Sequence, residues 1–159
     1  MAQDIFARIG DIKGESLDAK HKDEIEVLAF SWGESHPGAP SPGAAISVGK
    51  VAIESFDFTT QMSVASPKLM LMGANGKAVN NAVFVARRAG ASQNEYLKVT
   101  MRDVTVAAYH VGGDDGDVPI EEVSLRFSKI TVDYRPQKPT GALGTAVHMA
   151  WDVKAGKEA

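Results

Sequence analysis

Between Tyr96 and Tyr134, apolar and polar residues alternate in two runs that mirror each other about Asp115–Gly116. On the first run Leu97, Val99 and Met101 alternate, then the phase slips by one residue and resumes at Val104 and Val106. On the second, Val123, Leu125 and Phe127 alternate before the phase slips to Ile130, Val132 and Tyr134. Period-two alternation marks a β-strand, so the pattern predicts a long hairpin. A turn at Asp115–Gly116 pairs Leu97 with Tyr134, Val99 with Val132, Met101 with Ile130, Val104 with Phe127, Val106 with Leu125 and Ala108 with Val123. The same register sets Lys98 against Asp133, Thr100 against Thr131 and Thr105 against Arg126, all favourable neighbours. Two slips that face each other bend both arms together, through a bulge or corner. Long bent strands suit a closed or nearly closed barrel.

The remaining pattern adds strands and one helix. Asp4 to Ile9 alternates, Gly10 to Glu24 reads as a polar loop, and Glu24 to Glu34 alternates again. In that strand Leu28, Phe30 and Trp32 are bulky and are expected to fill the core, while Ala29, Ser31 and Gly33 make the opposite face small. His36 to Gly49 is rich in proline and glycine and cannot hold a regular ladder; loops of that length tend to be functional or mobile. Val48 to Phe58 is a strand with its own phase slip, and Ala82 to Ala89 and Ala146 to Lys154 complete the set, the last with Val147, Met149, Trp151 and Val153 on one face. Only Ser63 to Gly73 follows helical spacing, through Met62, Ala65, Leu69 and Met72; Pro67 suits a first turn and Gly73 a C-terminal cap. The fold class is therefore mainly β: a bent antiparallel barrel with one short flanking α-helix, as one domain over residues 1–159.

With 159 residues, 44% hydrophobic and 23% charged, the chain has enough apolar material for one core. A net charge of −3 and no basic run beyond Arg87–Arg88 argue against nucleic acid as a partner. The absence of cysteine excludes thiol chemistry, Zn–thiolate sites and disulfides. No apolar run is long enough to insert in a membrane, and the amino terminus carries no signal-peptide pattern, so export would proceed without a cleaved signal.

Catalytic and metal chemistry finds little footing. His21, His36, His110 and His148 show no ligand spacing, and His21 and His36 are expected to be solvated. Gly76–Lys77 lacks the leading glycine and the Ser/Thr of a phosphate-binding loop. Gly112 to Asp117 fits no calcium motif and reads as a hairpin tip. His21, Asp23 and Glu24 could be drawn as a hydrolytic cluster, but a hydrophilic approach to a strand accounts for them. No catalytic residue, cofactor or metal is expected.

An ordered series of short motifs then becomes informative: Lys13-Gly14-Glu15-Ser16, Ser31-Trp32-Gly33, Gly49-Lys50-Val51, Pro67-Lys68-Leu69-Met70, Gly76-Lys77, Arg88-Ala89-Gly90, Glu95-Tyr96-Leu97, Thr100-Met101, Val132-Asp133-Tyr134, Pro136-Gln137-Lys138 and Trp151-Asp152. In this order they resemble the Hcp family, the tube proteins of bacterial type VI secretion systems, over nearly the whole chain. The resemblance implies a barrel that assembles as a homohexameric ring, rings that stack as a tube inside a contractile sheath, a VgrG-type spike at the tip, and effector proteins carried in the lumen. It also implies a protein made in the cytoplasm and then secreted. Two stretches depart from the family pattern: the loop His36–Ile46 is proline-rich rather than glycine-rich, and the tip Asp114–Asp117 is acidic rather than neutral.

Within that frame the small face Ala29, Ser31 and Gly33 is the candidate lumen and cargo surface. The loop Pro37, Gly38, Ala39, Pro40, Ser41, Pro42, Gly43, Ala44 and Ala45 is the candidate for contacts between stacked rings. The alternatives are a phage-like tail tube subunit and a small-molecule or glycan-binding β-barrel.

Overall fold

A computed structural model describes residues 2–36, 51–90 and 92–159. In chain order the elements are β1 (Gln3–Ile9), β2 (Ile25–Glu26), β3 (Ala29–Ser31), β4 (Glu34–Ser35), β5 (Ala52–Ile53), β6 (Phe56–Gln61), α1 (Ser66–Asn75), β7 (Val79–Arg88), β8 (Glu95–Gly112), β9 (Ile120–Arg126), β10 (Lys129–Tyr134), β11 (Val147–Asp152) and β12 (Lys157–Glu158). All pairings are antiparallel. One layer runs β12-β11-β10-β8-β7-β1-β2 and the other β8-β9-β6-β3. The 18-residue β8 belongs to both.

The predicted hairpin is present, and its second arm is divided at the phase slip. Leu97 faces Tyr134, Val99 faces Val132 and Met101 faces Ile130 across β8 and β10, while Thr105 faces Arg126 and Val106 faces Leu125 across β8 and β9. Between the ladders the chain turns a corner. Asp103 takes a positive φ of 51°, a conformation that Asp tolerates better than branched residues. Opposite it, the Ser128 amide donates to the Arg102 carbonyl at 2.9 Å and its hydroxyl to Asp103 Oδ2 at 2.5 Å. Val104 pairs with Val79 instead of Phe127. Beyond Val106 a bulge moves the register by one, so Ala108 faces Ser124 and Tyr109 faces Val123, correcting the expected Ala108–Val123 pair.

The expected strand Glu24–Glu34 is broken into β2, β3 and β4 because it too passes between the layers. The Val27 amide donates to Ile5 of one layer at 2.9 Å and the next amide, Leu28, to Thr59 of the other at 2.8 Å. That crossing turns Leu28 outward, 56% exposed, against the expectation that it fills the core; Phe30 and Trp32 do pack against the core, half-buried. At this crossing no ladder joins the layers, so strand pairing leaves the barrel open on this side. Between β2 and β6 the bridging contact is the Thr60 hydroxyl donating to the Glu26 carbonyl at 2.6 Å. Inside, Phe84 packs against both Phe56 and Phe58, with Ile9, Ile25, Met101, Leu125 and Ile130 fully enclosed.

Helix α1 runs past the expected stop at Gly73. Its cap is Gly76, in the left-handed region with φ 68°, whose amide donates to Met72 O at 3.0 Å. Gly73 instead lies within the helix against β8, where a β-carbon would meet Val106 Cγ1 at 3.4 Å, an ordinary contact. Leu69 and Met72 are buried beneath the helix, over one side of the barrel. At the carboxyl end Met149, Trp151 and Val153 are half-buried, but Val147 is 67% exposed rather than packed with them.

Candidate assembly and cargo surface

The alternation that drives Phe58, Val123 and Leu125 into the core turns the intervening residues of β3, β6 and β9 outward. Register sorts them into rows. Ala29, Thr59, Glu122 and His110 form one, and Ser31, Asp57, Ser124 and Ala108 the next. Ala29 and Ser31 therefore share a shallow concavity of about 330 Å³ with Asp57, Thr59, Glu122 and Ser124. Its lining carries two carboxylates and no cation. Asp57 accepts the Ser55 hydroxyl at 2.8 Å, and among the described residues neither Asp57 nor Glu122 forms an ion pair.

Gly33 stands apart from this concavity. A β-carbon on it would lie 2.8 Å from Glu54 Oε2, and its carbonyl accepts the Glu54 amide at 3.0 Å. Its small size serves a close approach to Glu54. The expected stacking loop Pro37–Ala45 lies outside the described residues; the paired β4 and β5 stand on either side of it in the chain. Sequence reading passed over Asp57, Glu122 and Ser124, although each alternates with a buried neighbour and the small face of β3 pointed to this side of the sheet.

Two buried polar clusters fix the elements around this surface. The loop from Gly10 to Glu24 is latched to the first layer by Arg87, 3% exposed, which donates to Asp4 Oδ2 at 3.3 Å and to Asp18 Oδ1 at 3.1 Å while its guanidinium lies over the Phe6 ring. Hydrogen bonds from Arg87 lower the Asp18 carboxyl to about 2, and Asp18 in turn raises Arg87. His21, expected in solvent, is 6% exposed and stacks on Phe6 at 4.4 Å. Its two ring nitrogens lie 2.9 Å from Glu24 Oε2 and 2.9 Å from Glu95 Oε1. Arg87 and Glu95 lie far from this loop in sequence, so no local pattern could have shown the burial.

The second cluster ties α1 to the β8–β9 ribbon. Glu121 is wholly buried; the Ser66 hydroxyl donates to its Oε1 at 2.8 Å and the Tyr109 hydroxyl to its Oε2. Burial first, then the Glu121 carboxylate, raises the pKa of Tyr109. Neither cluster offers a nucleophile beside a base in an open cleft, and no group of three His, Cys, Asp or Glu suited to a metal occurs among the described residues.

Comparison with known proteins agrees with this architecture along the whole chain. The family model for the type VI secretion system effector Hcp matches residues 6–134. Protein hcp1 of Pseudomonas aeruginosa is 40% identical over 162 residues, covering 100% of both chains. The crystal structure of Hcp1 from Salmonella typhimurium superposes with a TM-score of 0.83 at 35% identity, covering 100% of both chains. A type VI secretion system effector from Yersinia pestis gives 0.78 at 33%, covering 94% of this chain and 100% of that one. Barrel, helix and full-length sequence identity converge, and the chain belongs to the Hcp family of type VI secretion system proteins.

Proposed function

We propose that this chain is a structural tube subunit: six copies close into a ring, rings stack within a contractile sheath behind a VgrG-type spike, and effectors travel in the lumen. It performs no catalysis. The outer face of β3, β6 and β9 lines the bore. The observation that carries this reading is the character of that face, where Ala29, Ser31, Thr59 and Ser124 leave a concave, unobstructed surface. Hydroxyls of this kind can donate to or accept from varied partners. Large apolar side chains that a monomer would expose, Leu17, Leu28, Val64, Leu71 and Val147, lie elsewhere and are available to neighbouring subunits. The loop Pro37–Ala45 contacts the next ring, its prolines lowering the entropy lost on docking. The subunit is made in the cytoplasm and exported with its cargo.

Light scattering tests the ring, with an expected mass of six times 16.9 kDa. Ser31→Arg tests the lumen: rings should form at wild-type mass and retain less effector on co-purification. Loss of the ring in a folded Ser31→Arg variant would place this face between neighbours instead.

A further inference from the structure

The β8–β9 ribbon is charged oppositely at its two ends. From Asp103 to Leu125 the sequence contains no lysine or arginine. At the tip Asp114, Asp115 and Asp117 are all exposed. Asp114 accepts the Gly116 amide at 2.8 Å and Asp117 the Val118 amide at 2.7 Å, which shapes the turn and leaves the charges in solvent. At the base Arg102 faces Lys129, Lys129 faces Asp152, and Asp152 faces Lys157, while Arg126 stands opposite Thr105. Asp152 interrupts this row, Asp103 is held by Ser128, and Glu54 shares a depression with Arg126. Even so, the four cations outnumber those carboxylates. Among the described residues neither the tip aspartates nor Arg102, Arg126, Lys129 and Lys157 form ion pairs. Tip and base are separated by on the order of 30 Å of strand.

Unpaired anions at one end of a rigid ribbon and unpaired cations at the other make two copies of this chain complementary head to tail, a contact that propagates instead of satisfying itself. We propose that the acidic tip of a subunit in one ring docks on the Arg102–Arg126–Lys129–Lys157 base of a subunit in the next ring. The partner is a second copy because the same chain carries both halves of the charge match. This inference rests on the tube reading above. Its groups are mostly solvent-exposed, so salt weakens the contact: the screening length falls from about 10 Å at 0.1 M to about 3 Å at 1 M. Complementarity of this kind governs encounter and register.

The test uses two full-length variants. One is Asp114→Lys/Asp115→Lys/Asp117→Lys, and the other is Arg102→Glu/Lys129→Glu/Lys157→Glu. Each should keep native circular dichroism and ring mass yet fail to associate with itself, whereas the two kinds of ring should bind each other. Sedimentation at low salt should show mixed association at least about tenfold tighter than either self-association, and raising salt tenfold should abolish it. Equal mixed and self-association, or indifference to salt, would overturn the proposal. So would folded variants that lose the ring itself, because the charges would then act within rings. A wild-type chain that stays monomeric would refute the tube reading, and this inference with it.

Discussion

Replacing Tyr109 with phenylalanine removes one oxygen and leaves the ring that packs beside α1. What it takes from the molecule is one of the two side-chain donors to Glu121, a carboxylate with no exposed surface. A hydrogen bond to a charged group is worth about 1.5–3 kcal/mol, and the half-buried tyrosine lets water screen part of it, so the expected cost at neutral pH is about 1–2 kcal/mol. Urea unfolding followed by tryptophan fluorescence, at one fixed protein concentration, measures it; the midpoint should fall with no change in slope. The pH dependence supplies a second check. Tyr109 is raised above its ordinary value, so its hydroxyl contributes stability fully below about pH 10, and that contribution declines as pH climbs toward the raised value. The wild-type advantage over Tyr109→Phe should therefore shrink above pH 10, by at most about 1.4 kcal/mol per pH unit. An advantage that is below about 0.3 kcal/mol at neutral pH, or that widens in alkali, would refute the assignment of this bond as the clamp on α1.

Asp18→Asn should flatten the acid limb of stability: the wild-type carboxyl, lowered to about 2 by Arg87, stabilises above about pH 4 and loses this as pH falls through 2. Acid titration by circular dichroism compares the two, and identical acid limbs would dismiss the latch. Gly14→Ala should cost more than about 2 kcal/mol in the same urea assay, because the new β-carbon would lie 2.4 Å from the Glu24 carbonyl oxygen, in backbone that cannot move aside cheaply. Gly76→Ala, at the left-handed cap of α1 with open space around it, should cost about 1 kcal/mol from backbone strain alone.

Much of the barrel was legible because its longest strand pair is adjacent in sequence. The mirror about Asp115–Gly116 gave the register of Leu97 to Met101 and of Thr105 to Val106, and the facing slips marked the corner at Asp103 and Ser128. A one-residue bulge leaves no mark when the residue it inserts is alanine, so Ala107 went unseen and the pairing beyond it was off by one. Leu28 failed for a different reason: alternation says which residues share a face, but not where a strand leaves one layer for another. Of the candidate lumen face, Ala29 and Ser31 came from one strand's asymmetry, whereas Asp57 and Glu122 join them only through cross-strand register over long sequence separation. The burial of His21 depends on Phe6, Glu24 and Glu95, and a polar sequence neighbourhood pointed the other way.

The double membership of β8 bears on how the chain acquires its shape. β8 pairs with β7 before it and with β9 and β10 after it, so these ladders close over short stretches of chain. β1, by contrast, pairs locally only with the short β2 and meets β7 across about half of the chain, with Gln3 opposite Arg88. Closing a long loop costs entropy before any contact offsets it. The ladders centred on β8 therefore need the least chain to be closed, and they already carry the corner that directs one half of β8 to each layer. On the ribosome β1 emerges first and has only the two-residue β2 to pair with until β7 has been made; its other edge, the longer of its two ladders, is completed late although the strand is the first to be synthesised.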